Sequence, residues 1–79
     1  MINKVTDGLS ARIYYDLKKK IEEFEIKPGD RISETALTNI YEVSRTPIKH
    51  GLARLENEGL IFVRPQIGTF VSKIDTVHI

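Results

Sequence analysis

The 79-residue chain has no cysteine, so it has neither a disulfide staple nor a thiolate metal site, and side-chain packing alone must hold its fold. No apolar run approaches the roughly 18 residues that cross a bilayer. The start, Met1-Ile2-Asn3-Lys4-Val5-Thr6-Asp7-Gly8, has no apolar segment followed by a small-residue cleavage site, so the expected location is the cytoplasm. A Gly-rich phosphate loop is missing, as is any carboxylate or histidine cluster at metal-ligand spacing, and His50 and His78 stand apart. These absences argue against an enzyme and against a cofactor or metal held by this domain. There is no internal repeat, low-complexity stretch or linker. The length fits a single domain over 1–79, with its core expected over about 9–73 and fraying expected over 1–7 and 74–79.

Charge of one sign is also scarce. The net charge is only +1, which argues weakly for a polyanionic partner. Its distribution says more: from Ser44 to Lys73 five basic residues face two acidic ones, whereas the first 43 residues carry seven basic and eight acidic groups. The positive excess lies in the C-terminal part.

What is present is helical periodicity. Leu9, Ile13, Leu17, Ile21 and Phe24 recur at spacings of four, four, four and three, one stripe of a 3.6-residue helix. Its outer side carries Arg12, Asp16, Lys18, Lys19, Lys20, Glu22 and Glu23, a mixed set that reads as solvent-facing. Pro28 in Lys27-Pro28-Gly29-Asp30 ends this helix. Arg31-Ile32 is long enough only for a bridging strand. Ser33 then caps a second helix, Glu34 to Ile40, with Ala36, Leu37 and Ile40 on its core face. After Tyr41-Glu42-Val43, Ser44 reads as the cap of a third helix reaching Glu58, with Pro47 in its first turn and Gly59 just past its end.

Two short helices joined by about three residues form a helix-turn-helix pattern. Leu60 to Arg64 and Thr69 to Lys73 are rich in β-branched and aromatic residues and are separated by Pro65-Gln66-Ile67-Gly68, which predicts a hairpin. The expected fold is mainly α with a small β component: a winged helix-turn-helix of three helices and a two-stranded wing.

On the third helix Ile48, Leu52 and Leu55 must face the core. Thr46, Lys49, His50, Ala53 and Asn57 then project away, with Arg45 at the edge of the first turn. A first turn carrying Arg45, Thr46 and Lys49 suits a helix whose N-terminal end points at base edges in the major groove. The arginine fork matches O6 and N7 of guanine, and a lysine supplies a point charge to phosphate or guanine. Ser44 and Thr46 are hydroxyl donors suited to phosphate, though Ser44 alone reads first as a plain cap. His50 faces outward without an assigned task. Gly51 inside the helix should cost about 0.5–1 kcal/mol relative to alanine, which implies a softer recognition helix.

Val43-Ser44-Arg45-Thr46-Pro47-Ile48-Lys49 and Leu52-Ala53-Arg54-Leu55-Glu56-Asn57-Glu58-Gly59-Leu60-Ile61 together resemble the GntR family of bacterial regulators. Val63-Arg64-Pro65-Gln66-Ile67-Gly68-Thr69-Phe70-Val71-Ser72 looks like the wing of its FadR-type branch, and Lys27 to Glu34 matches the approach to helix two. The resemblance covers about residues 9–75. It implies sequence-specific binding of a double-stranded operator, with the recognition helix 44–58 in the major groove and the wing 64–69 at the minor groove. Arg45, Thr46 and Lys49 would contact the operator, and Gln66, Ile67 and Gly68 would approach the minor groove, Gly68 allowing either a close backbone approach or a positive φ. Ser44, Pro47, Glu34 and Thr35 complete the candidate set. Thr35 stands where the family usually has a basic contact, Glu42 where it often has glycine, and Lys49-His50-Gly51 where arginine, glutamate and alanine are usual.

The same resemblance implies a homodimer on a pseudo-palindromic operator, with half-sites about one helical turn apart or less. Members continue into a helical domain that binds a small metabolite, often with a metal; that effector domain is expected to lie outside this chain, and the isolated domain could be monomeric. The rival reading is a winged-helix module for protein contact without DNA binding, against which the basic first turn of helix three argues.

Overall fold

A computed structural model describes residues 4–73. Helix α1 runs Lys4–Glu22, strand β1 Arg31–Ile32, helix α2 Glu34–Tyr41, helix α3 Arg45–Asn57, strand β2 Ile61–Arg64 and strand β3 Gly68–Val71. The expected fraying of 74–79 lies outside the described residues, and α1 begins at Lys4, ahead of the first apolar residue of its stripe.

The periodic stripe of α1 holds through Ile13, Leu17 and Ile21, all buried, but Phe24 is 61% exposed. The helix has already ended there: Phe24 has φ 59, its amide donates to Ile21 O, and the Glu25 amide reaches back to Lys20 O at 2.9 Å. This is a left-handed C-terminal cap with the paired backbone bonds of a Schellman motif, formed without glycine. Ile26, brought back by that turn, packs against the core in place of Phe24.

Ser33 caps α2 as expected, its hydroxyl accepting from the Ala36 amide at 3.1 Å. The core face of α2 differs from the expected one. Only Leu37 is buried, Ala36 is exposed, and Ile40 is 68% exposed. The inward line is Leu37 and Tyr41, four residues apart, one side of the helix. The Tyr41 hydroxyl donates to Asp16 Oδ2, tying the end of α2 to α1. Burial, reinforced by that bond to Asp16, holds the phenol above the usual tyrosine range.

On α3, Ile48, Leu52 and Leu55 are buried as their spacing requires. The helix closes with the Leu60 amide on Leu55 O and the Gly59 amide on Glu56 O, both at 2.9 Å. Gly51 is buried at the crossing with α1, where an added Cβ would lie 3.1 Å from Ile13 Cγ2 and 3.2 Å from Ser10 O. The gap in side-chain volume there is the place where two helices touch, a packing reason for glycine that softness alone does not supply.

The wing is larger than the expected two-stranded hairpin. β1 joins it, giving an antiparallel sheet in the order β1-β3-β2. Ile61 pairs with Val71, Phe62 with Phe70, Val63 with Thr69 and Arg64 with Gly68; Arg31 pairs with Phe70 and Ile32 with Thr69. Because successive residues alternate faces, Ile32, Ile61, Val63, Thr69 and Val71 share the side toward the helices. Arg31, Phe62, Arg64, Gly68 and Phe70 share the opposite side. The core is therefore a wedge of α1, α2, α3 and one sheet face, from which the start of α3 and the hairpin tip emerge.

Candidate DNA interface

The turn between α2 and α3 brings their first turns together. Glu42 ends α2 in the left-handed region, φ 57, and its amide donates to Thr38 O. The chain reverses over Val43 and Ser44, so the side chains of Glu34 and Thr35 meet those of Arg45 and Lys49. Arg45 Nη2 donates to Thr35 Oγ1 at 3.0 Å. Arg45 Nη1 lies 3.8 Å and Lys49 Nζ 3.4 Å from the same Glu34 oxygen, Oε1. Both cations stay 59–60% exposed while the glutamate is 28% exposed. One carboxylate thus faces two cations, leaving an excess positive charge beside the positive end of the α3 dipole.

Ser44 starts α3 with an extended backbone, φ −73 and ψ 178, but its side chain makes no capping hydrogen bond, contrary to expectation. A cap serine bonds the amide of the second or third helical residue. Here the third residue is Pro47, which has no N–H. The serine hydroxyl is left at the exposed start of the helix beside Thr46. Pro47 itself is buried, which corrects its place among the contact candidates: it is walled into the fold and sets the helix start. Thr46, His50, Ala53 and Asn57 are exposed, as the periodicity requires.

At the hairpin tip the Ile67 amide donates to Arg64 O at 3.0 Å. Pro65 occupies the first central position and Gln66, with φ 67, the second, the geometry of a type II turn. Gln66 and Ile67 project from the tip, Ile67 being 58% exposed. Gly68 lies one step inside, at φ 149, as the first residue of β3. An added Cβ there would meet Arg31 Nε at 2.7 Å. Of the alternatives weighed for Gly68 the positive φ holds, and what approaches its backbone within the protein is the Arg31 side chain.

Nine of the ten sequence candidates fall in two exposed or half-exposed groups: Glu34, Thr35, Ser44, Arg45, Thr46 and Lys49 at the α2–α3 corner, and Gln66, Ile67 and Gly68 at the wing tip. Two exposed arginines beside the wing, Arg31 and Arg64, were not among those candidates. Arg64 is readable as a strand residue beside the turn, but the approach of Arg31 to the wing depends on a two-residue strand pairing 37 to 39 residues away in the chain. Among the described residues no group of His, Cys, Asp and Glu is arranged to hold a metal ion, and no helix is long and apolar enough to cross a membrane.

Comparison with known proteins bears on this geometry. Residues 9–71 match the family described as bacterial regulatory proteins, gntR family. The chain is 40% identical over 76 residues to an HTH-type transcriptional regulator in an unstable DNA locus of Streptomyces ambofaciens, covering 94% of this chain and 32% of that protein. It is 34% identical over 74 residues to the HTH-type transcriptional repressor RspR of Escherichia coli K12, with the same coverage. The chain therefore spans about a third of the length of these relatives. Among solved structures, the AraR DNA-binding domain in complex with operator ORX1 superposes with a TM-score of 0.76 at 28% identity, over 81% of this chain and 78% of that one. The transcriptional regulator YydK of Bacillus subtilis gives 0.72 at 32% identity, over 82% of this chain and 29% of that one. Three helices and a small antiparallel sheet are the architecture they share with this protein, and the chain belongs to the GntR family of bacterial regulatory proteins.

Proposed function

We propose that this chain is the DNA-binding domain of a bacterial transcription regulator, which recognises a double-stranded operator by placing α3 in the major groove and the wing tip at the minor groove. The observation that carries the reading is the corner where Arg45 and Lys49 emerge exposed from the first turns of α3, tethered by Thr35 and Glu34. A guanidinium held by a threonine hydroxyl at one nitrogen keeps other donors for guanine, and a good bidentate pairing discriminates by about 1–3 kcal/mol. Lys49 meets phosphate or guanine, Ser44 and Thr46 meet phosphate, and Glu34 and Thr35 orient Arg45. Gln66 and Ile67 reach the minor groove, where acceptors on A·T pairs match the Gln66 amide. The regulators and operator complexes among its relatives support this assignment.

The finer features follow the family resemblance. The wing from Val63 to Ser72 resembles that of the FadR-type branch, which supports assigning the chain there. The relatives' additional length fits an effector-binding domain that dimerises the protein on a pseudo-palindromic site in the cytoplasm. This domain works without a cofactor of its own and without catalysis. Selection of bound sequences from a random duplex pool tests the reading: a recurrent motif is expected, and recovery of unenriched sequences would reject it.

A further inference from the structure

Two of the arginines that this reading leaves unused, Arg31 and Arg64, lie together on the sheet face turned away from the helices. Arg64 sits in β2 directly across from Gly68, with its guanidinium carbon 5.5 Å from the centroid of the Phe62 ring. Phe62 in turn stacks on Phe70 at 5.7 Å and an interplanar angle of 29°. Arg31 sits in β1 across from Phe70 and extends over the Cα of Gly68 into the space a side chain there would fill. Both are exposed, and among the described residues neither has a carboxylate within ion-pair distance. Arg45, Lys49, Lys18 and Lys20 all do. The outer face at the base of the wing is thus a pair of uncompensated guanidinium groups, one resting on an aromatic ring and the other on a glycine.

We propose that Arg31 and Arg64 form a phosphate-binding pair that grips the DNA strand on the far side of the minor groove. The inference rests on the DNA-binding reading and extends it to a second surface. A minor groove is about 6 Å wide and bordered by two phosphate strands. With the wing tip in that groove, the sheet face toward α3 overlies the strand between the major and minor grooves, and the outer face overlies the other. Arginines already positioned by packing lose little side-chain freedom on meeting phosphate, and their planar donors suit it. Phosphate contacts of this kind set orientation without reading sequence. The small residue at position 68 acquires a reason beyond the turn: it is the slot through which Arg31 reaches the wing.

The test is fluorescence anisotropy of the whole chain with a selected duplex and a scrambled one, across a salt series, for the parent, Arg31→Ala, Arg64→Ala, the double variant, Arg31→Lys and Arg45→Ala. Each alanine on the outer face should reduce the magnitude of the slope of log affinity against log salt by about 0.9, and the double variant by about twice that. The ratio of selected to scrambled affinity should hold, and Arg31→Lys should keep the parental slope. A double variant with the parental slope and affinity, while Arg45→Ala still abolishes the preference, overturns the proposal and leaves the DNA reading intact. Loss of preference in the double variant at an unchanged slope also overturns it, because it would assign these arginines to bases. A parent with no salt-dependent binding to either duplex removes both readings together.

Discussion

The Tyr14 hydroxyl donates to Glu58 Oε2 at 2.6 Å, joining the middle of α1 to the C-cap of α3 across 44 residues of sequence. Lys18 donates to the same hydroxyl at 3.3 Å and lies 3.6 Å from the other glutamate oxygen, and the Arg54 guanidinium stacks over the Tyr14 ring at 3.8 Å. Tyr14 is a buried side chain whose hydroxyl bonds the partly exposed Glu58 carboxylate, so the network fixes the far end of α3 and leaves its first turn untouched.

Replacing Tyr14 with phenylalanine keeps the ring and its stack with Arg54 and removes the link. The hydrogen bond from Tyr14, helped by Lys18, holds the Glu58 carboxyl below the usual glutamate range. A depressed carboxyl stabilises the fold above its unfolded value, and that contribution disappears as pH falls through the folded one. Tyr14→Phe should therefore unfold at lower urea than the parent at neutral pH, with the two curves converging in acid below the glutamate range. A gap that persists there would mean the loss was one of packing.

Gly51 sits where α1 packs against α3, an added Cβ lying 3.1–3.2 Å from Ile13 and the Ser10 carbonyl. Gly51→Val places branched carbon into that contact and should cost about 1–3 kcal/mol by overpacking. Alanine gains about 0.5–1 kcal/mol of helix propensity against the same crowding, so its effect should be much smaller. Urea titrations of both variants check this; a valine variant as stable as the parent would show that the two helices part readily.

Much of this was legible in one sequence because the signals are local. Ser33, Pro47 and Gly59 act within a turn of themselves, and the Ile48-Leu52-Leu55 stripe needs only the helical period. Some failures are local, as where Ser44 bonds no amide because the third helical residue is Pro47; others are not. Phe24 completes an apolar stripe on paper, but the backbone has already turned left-handed. Leu37 and Ile40 lie three apart on one side of α2, but the helix turns Leu37 and Tyr41 inward, with Tyr41 reaching Asp16 on α1 and Ile40 left exposed. The bridging strand at Arg31-Ile32 could be read, but its pairing with β3, and so the place of Arg31 beside the wing, could not. At the candidate interface the residue types could be read, but the shared Glu34 carboxylate between Arg45 and Lys49 could not, since it depends on the reversal at Glu42.

That reversal makes a prediction of its own. Glu42 holds φ 57 as a non-glycine residue, where a Cβ is disfavoured and helices commonly place glycine. Glu42→Gly should relieve that strain and, after the greater freedom of the unfolded glycine is offset, raise stability by about 0.5–1 kcal/mol. Chemical denaturation measures it, and an unchanged or lower midpoint would indicate that the left-handed turn at Glu42 is not strained.

The corner itself separates base reading from charge. Arg45→Ala should abolish sequence preference, whereas Lys49→Ala should weaken every sequence and reduce the salt slope by about one. Glu34→Gln distinguishes a positioning carboxylate from a repulsive one. Loss of its charge leaves two cations uncompensated next to the DNA, so affinity for scrambled duplex should rise. Arg45 keeps Thr35 but loses the ion pair that aims its second nitrogen, so affinity for the selected duplex should rise less and the ratio between them should fall. If instead both affinities rose equally, Glu34 would act on DNA only through its charge, and the orientation of Arg45 would rest on the Thr35 hydroxyl alone.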